Sequence, residues 1–127
     1  MNAAEFDNEL DMVYKEMILD LYRNPLNKKS LNVFDFKHRE FNPTCGDDIQ
    51  IEIKFDENKK VADVGHTGNG CAISQASVSL LTDTIKNKTK EEIQEITKDD
   101  MLELLQIPIS HTRLKCALLG WSVLQSL

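Results

Sequence analysis

Three cysteines stand in this acidic chain of 127 residues, and each has neighbours that suit a thiolate. Cys45 lies in Asn42-Pro43-Thr44-Cys45-Gly46-Asp47-Asp48, Cys71 in Gly68-Asn69-Gly70-Cys71-Ala72-Ile73-Ser74, and Cys116 in Arg113-Leu114-Lys115-Cys116-Ala117. A thiol attacks or ligates as its thiolate, which nearby cations, a helix N-terminus or a metal favour. Cys71 opens an apolar helical pattern and Cys116 follows two basic residues, so both settings are present. Spacing alone favours three unrelated buried thiols over a shared site. It fits no zinc-finger pattern and contains no Cys-x-x-Cys, and free cysteine is among the most buried residue types.

The elements that must position these thiols follow from periodicity. Phe6, Leu10, Val13, Met17, Ile18 and Leu21 recur at helical spacing over Glu5 to Tyr22, and Asn24-Pro25 stops that amphipathic helix. A polar, turn-rich stretch from Pro25 to Val33 comes next. Phe34, Phe36 and His38 then alternate with Asp35, Lys37 and Arg39 as a first strand, broken at Asn42-Pro43-Thr44. Ile49, Ile51, Ile53 and Phe55 alternate with polar residues as a second strand. Asp56 to Lys59 is a turn and Lys60 to His66 the return strand. In such a meander the end before the second strand and the end after the third are neighbours, which brings Cys45 near Cys71.

Cys71 to Asn87 is a predicted helix with Cys71 in its first turn, where the dipole favours an anion. Thr89 and Glu92 have capping-box spacing and open a short helix to about Ile96. Asp99 to Leu105 is a further helical piece. Ser110 is the expected N-cap of a last helix running to Leu127. On it Leu114, Ala117, Leu118, Trp121 and Leu124 or Gln125 form the apolar stripe, while Arg113 and Cys116, three residues apart, share a surface.

Bulk properties exclude several roles. The length fits one domain, 1–127, large enough to bury a core without disulfides. Fifteen basic against twenty-one acidic side chains give a net charge of −6 and no basic tract, so no nucleic acid is expected as partner. The first ten residues lack a signal-type apolar core and no apolar run reaches membrane length, so the expectation is a cytoplasmic protein with no membrane partner.

Four motifs in order, Tyr14-x7-Tyr22-x-Asn24-Pro25-x-Asn27, Asn42-Pro43-x-Cys45-Gly46-Asp47, Gly68-x-Gly70-Cys71-Ala72-Ile73-Ser74 and Arg113-x-Lys115-Cys116, resemble the IscU/SufU/NifU-type iron-sulfur cluster assembly proteins over nearly the whole chain. The resemblance implies an α+β fold in which a three-stranded antiparallel sheet packs against about five helices, with the metal site at one exposed end. It implies that Cys45, Cys71 and Cys116, joined by Asp47, hold zinc or a transient [2Fe-2S] cluster or iron. It also implies a cysteine desulfurase partner that hands sulfur as persulfide to Cys45, and recipient apoproteins or downstream assembly machinery. Three thiolates and one carboxylate suit zinc, and the oxygen is the harder, more replaceable ligand.

The resembled family has a scaffold branch and a sulfur-acceptor branch. The residue before the third cysteine is typically His in the first; here it is Lys115, with Arg113 as thiolate support, as in the zinc-binding sulfur acceptors. The Cys71 to Cys116 interval lacks an insertion usual in that second branch. The expected activity is sulfurtransferase-like sulfur acceptance, with a cluster scaffold as the alternative and a purely structural zinc module as a third. Taken residue by residue, Asp47 also suits a simple turn carboxylate, Arg113 a solvated or acid-paired arginine, and Trp121 helix packing. His66 and His111 are expected at the surface.

Overall fold

The computed structural model describes residues 9–44 and 46–127, with side chains from residue 14 onward. Three strands, β1 (Phe36–Asn42), β2 (Asp47–Phe55) and β3 (Val61–Thr67), form an antiparallel sheet in the order β1-β2-β3. The alternation of β2 places Ile49, Ile51 and Ile53 on one face, and all three are fully buried. Burying each contributes about 1.5–3 kcal/mol relative to exposure. Register matters most at one end. Asn42 pairs with Asp47, so the β1–β2 hairpin closes there, and Gln50 pairs with Thr67, so β3 ends at the same edge.

Among the described residues there are five α-helices: α1 (Glu9–Arg23), α2 (Ala72–Thr84), α3 (Lys90–Gln94), α4 (Lys98–Leu105) and α5 (Leu114–Leu124), the last preceded by a 3-10 turn at His111–Arg113. α2 and α5 pack on each other, α1 packs on α2, and α5 lies against β1 and β2. The helix pair is close because Gly120 has no side chain: a Cβ there would come within 3.3 Å of Val78. One buried cluster joins the sheet isoleucines to Val78, Leu81, Ile85 and Val123. A second joins Ile18, Leu21, Ile73, Ala76, Leu105 and Ala117, and it includes Cys116 with Cys71 at its margin. This is the expected α+β architecture.

Several expectations change in detail. The N-terminal helix is present, but residues 1–8, and with them Phe6, lie outside the described residues. Phe34 precedes β1 rather than belonging to it, and is 40% exposed. α2 stops at Thr84, because the chain turns at Asn87 (φ 65°), whose N–H donates to Val61 O (3.0 Å). Cys71 is the N-cap of α2, with extended backbone (φ −72°, ψ 171°), not a first-turn residue. The Thr89–Glu92 capping box forms as read, and a second one, Thr97 with Asp100, opens α4.

On α5 the buried face is Cys116, Ala117, Leu119, Gly120, Val123 and Leu124, rotated from the stripe read in the sequence. Leu114, Leu118 and Trp121 are only half-buried, and the indole Nε1–H donates to Ile96 O (2.8 Å). His66 is likewise corrected: it is 1% exposed. It pairs with Ile51 across the sheet and so shares that residue's core face. Its ring Nε2 meets Leu26 O at 2.8 Å. His111 is exposed, as expected.

Candidate metal centre

Asp47 begins β2, directly after a turn that Gly46 makes possible with φ +75°, a conformation most side chains resist. The hairpin is tied there by Gly46 N–H to Asn42 O (2.9 Å) and by Thr44 N–H to Asn42 Oδ1 (3.1 Å). Asp47 is therefore held at a strand end and is only 4% exposed. One carboxylate oxygen, Oδ1, accepts the Cys71 N–H at 3.2 Å. The other, Oδ2, is buried with no hydrogen-bond partner.

Cys71 reaches this place through a loop that admits no side chain at its closest point. A Cβ on Gly70 would lie 2.1 Å from Ser74 Oγ and 3.2 Å from Asp47 Cγ. The first turn of α2 is then fixed by Ser74 Oγ–H to Cys71 O (3.1 Å) and Gln75 N–H to Cys71 O (3.0 Å). Cys71 thus sits at a helix N-terminus, where the dipole favours negative charge. Cys116 comes from the opposite direction, on α5, and is 3% exposed.

The ligand atoms of Asp47, Cys71 and Cys116 all lie within 4.8 Å of one another. A tetrahedral zinc, with sulfur at about 2.3 Å and oxygen at about 2.1 Å, needs ligand atoms roughly 3.5–3.8 Å apart. Two thiols and one carboxylate gathered within 4.8 Å are a donor set of the kind zinc takes, and small side-chain shifts bring them to that spacing. The orphaned Oδ2 argues in the same direction, since a buried acceptor without a partner costs about 1–3 kcal/mol, and more when charged. A bound cation removes that cost.

Of the residues singled out in the sequence, the structure brings together Asp47, Cys71 and Cys116. Cys45 lies outside the described residues. Arg113 is exposed at the end of the 3-10 turn, lining a cleft with Lys15, Ile18, Ala72, Ile73 and Ile107 at the entrance to α2. His66 is not one of this group. Its ring is held to the Leu26 carbonyl, and burial pushes its pKa below the ordinary 6.5, a shift the Leu26 bond opposes and the Lys28 charge reinforces. Sequence reasoning missed Ser74, which fastens the Cys71 turn, and Asp48, whose carboxylate accepts the Asn69 N–H at 3.1 Å. The available signal was Gly68-Asn69-Gly70, a loop that needs an anchor.

Comparison with known proteins adds a family. Residues 13–126 match the profile of the NifU-like N-terminal domain. The chain is 36% identical over 140 aligned positions to the zinc-dependent sulfurtransferase SufU of Bacillus subtilis, covering 94% of this chain and 92% of that one. It is 34% identical over 112 positions to the iron-sulfur cluster assembly scaffold protein IscU of Haemophilus influenzae, covering 86% and 87%. The crystal structure of FiSufU from the thermophile Fervidobacterium islandicum superposes with a TM-score of 0.75 at 27% identity, over 91% of this chain and 96% of that one. The protein belongs to the NifU-like N-terminal domain family.

Proposed function

We propose that the protein works in iron-sulfur cluster biogenesis as a zinc-dependent sulfur acceptor, taking persulfide sulfur from a cysteine desulfurase in the cytoplasm. The observation that carries this reading is the buried, unpartnered Asp47 Oδ2 beside the thiols of Cys71 and Cys116. The named activity of the Bacillus relative supports it. Among the described residues no helix is long and apolar enough to cross a membrane, in keeping with that location.

Cys45, Asp47, Cys71 and Cys116 would hold the zinc. When bound, the ion supplies Lewis acidity that keeps its thiol ligands deprotonated. Cys45, two residues before Asp47 in the sequence, is the acceptor. Its thiolate attacks the outer sulfur of the desulfurase persulfide. The donor's S–S bond breaks, the donor cysteine leaves as thiolate, and a new S–S bond forms on Cys45. The outer sulfur moves with its own charge or proton, so no oxidant or reductant enters. Asp47, the hard oxygen ligand among sulfurs, is the one that yields most readily. Arg113, a cation at the start of α5, favours the thiolates electrostatically.

A second reading has its own support. Relatives named as iron-sulfur cluster assembly scaffold proteins, the IscU of Streptococcus pyogenes and that of Haemophilus influenzae, match this chain at 30% and 34% identity over 93% and 86% of its length. As a scaffold, the protein would build a [2Fe-2S] cluster as cargo on the same residues and deliver it to recipient apoproteins.

Elemental analysis of anaerobically purified protein, with assay of desulfurase turnover, separates the two. A sulfur acceptor retains zinc, shows no visible chromophore after ferrous iron, sulfide and thiol are added, and stimulates a desulfurase in a manner abolished by Cys45→Ala. Stimulation that survives Cys45→Ala refutes the acceptor mechanism. A brown protein with iron and sulfide in equal amounts establishes the scaffold instead.

A further inference from the structure

Two consecutive carboxylates at the start of β2 grip the same loop. Asp47 Oδ1 accepts the Cys71 N–H at 3.2 Å, and Asp48 Oδ1 accepts the Asn69 N–H at 3.1 Å. The Asp48 contact is doubled, because its own N–H donates to Asn69 O at 2.8 Å. The loop lies flat on Asp48: at Gly68 (φ +118°) a Cβ would meet Asp48 O at 2.3 Å and Asp48 Oδ1 at 2.4 Å. The second oxygens then differ. Asp48 Oδ2 is paired with the Arg39 guanidinium of β1, whereas Asp47 Oδ2 has no partner.

We propose that Asp48, backed by Arg39, is the positioning residue of the metal centre: it clamps the Gly68-Asn69-Gly70 turn, so that Cys71 stays in place and Asp47 keeps one oxygen for the ion. Without the Asp48 carboxylate, Asp47 would be the one side chain of β2 still holding the loop, beside the backbone bond from Asp48 N–H to Asn69 O. One carboxylate would then both tether the Cys71 N–H and ligate metal, and a swing of Asp47 away from the metal would pull on the turn that leads into Cys71. With the clamp, Asp47 could leave or rejoin a bound ion while Cys71 keeps its place. This inference rests on the reading of Asp47, Cys71 and Cys116 as metal ligands.

The test uses the full chain and three variants: Asp48→Ala, Asp48→Asn and Arg39→Gln. Zinc affinity is measured by chelator competition, the cobalt-thiolate absorption band is recorded after cobalt loading, and amide hydrogen exchange is followed at 69, 71 and 51 in the metal-free protein. Loss of a group that orients a metal ligand typically weakens binding by about 10–100-fold, and that is the expectation for Asp48→Ala, together with an altered cobalt band. Asp48→Asn keeps an oxygen for the Asn69 N–H and should recover most of the affinity. Arg39→Gln keeps the Asp48 carboxylate on the Asn69 N–H and loses only its outer partner, so it should show a smaller loss, no greater than that of Asp48→Asn. In metal-free Asp48→Ala the amides of Asn69 and Cys71 should exchange faster, while that of Ile51 does not change.

If the wild type binds zinc and Asp48→Ala binds it with the same affinity and spectrum, the clamp is overturned and the metal reading stands. If the wild type binds neither ion, the metal reading falls, and with it the role of Asp48 at a metal site; equal exchange at Asn69 and Cys71 would then dispose of the clamp as well. Should Asp48→Ala fail to fold, Arg39→Gln decides, and unchanged zinc affinity in that variant counts against the proposal.

Discussion

Replacing Asp47 with Asn should raise the stability of the metal-free protein and lower its gain from zinc. Asn keeps an oxygen for the Cys71 N–H, now accepted by Asp47 Oδ1 at 3.2 Å, so the loop contact survives. What changes is Oδ2, buried without a partner. A charged orphan costs more than the 1–3 kcal/mol of a neutral one, so neutralising it should stabilise the metal-free fold by about 1–2 kcal/mol. For a domain of this length that raises Tm by roughly 4–8 °C. Zinc reverses the order. At a concentration of about 100 times the wild-type Kd the ion adds about 2.7 kcal/mol, but if loss of the oxygen ligand weakens binding about a hundredfold the variant gains only about 0.4 kcal/mol. The two melting curves should therefore cross between chelator and zinc. A metal-free variant that melts below the wild type, or an equal zinc-induced rise in both, would refute the argument that Oδ2 waits for a cation.

Two more outcomes follow from the neighbourhood of the site. His66 is held below its ordinary pKa of 6.5, chiefly by burial, so the unfolded chain takes up a proton first as the medium acidifies. The stability it contributes is complete above about pH 6.5 and is lost as pH falls toward the folded-state pKa; denaturant midpoints measured between pH 7 and 5.5 should decline more steeply for the wild type than for His66→Gln, and parallel curves would remove His66 from the explanation. Gly70→Ala should weaken zinc binding, because the new methyl meets Ser74 Oγ at 2.1 Å and displaces the hydroxyl from Cys71 O. Adding Ser74→Ala relieves that clash and should restore part of the affinity, and a double variant no better than the single would place the damage elsewhere.

The sheet was legible because its central strand obeys a period of two: Ile49, Ile51 and Ile53 are apolar in the sequence and fully buried in the fold. Of the three described site residues, Cys71 could be placed roughly from the meander and the helix it feeds. What could not be read came from packing between elements. The face of α5 is chosen by Gly120 seated on Val78 and by the Trp121 indole reaching Ile96 O, neither of which periodicity weighs. His66 lies inside because β2 and β3 pair Ile51 with it, a register invisible in one strand alone. The box that opens α4 was passed over because Asp100 takes the place of the usual Glu or Gln. Asp47 read equally well as a turn residue until its second oxygen was found buried and unpaired.

The donors of the centre come from a hairpin end, a loop and a helix, so no local stretch of chain contains the set. The Asp47 contact to Cys71 already spans 24 residues, and Cys116 joins only when α5 has docked on α2. A nascent or misfolded chain therefore offers metal scattered single thiols, with no shared pocket and little affinity. On the proposed reading, loading the site would report that the polypeptide has finished folding, and any chemistry at the thiols would be withheld from a copy that has not.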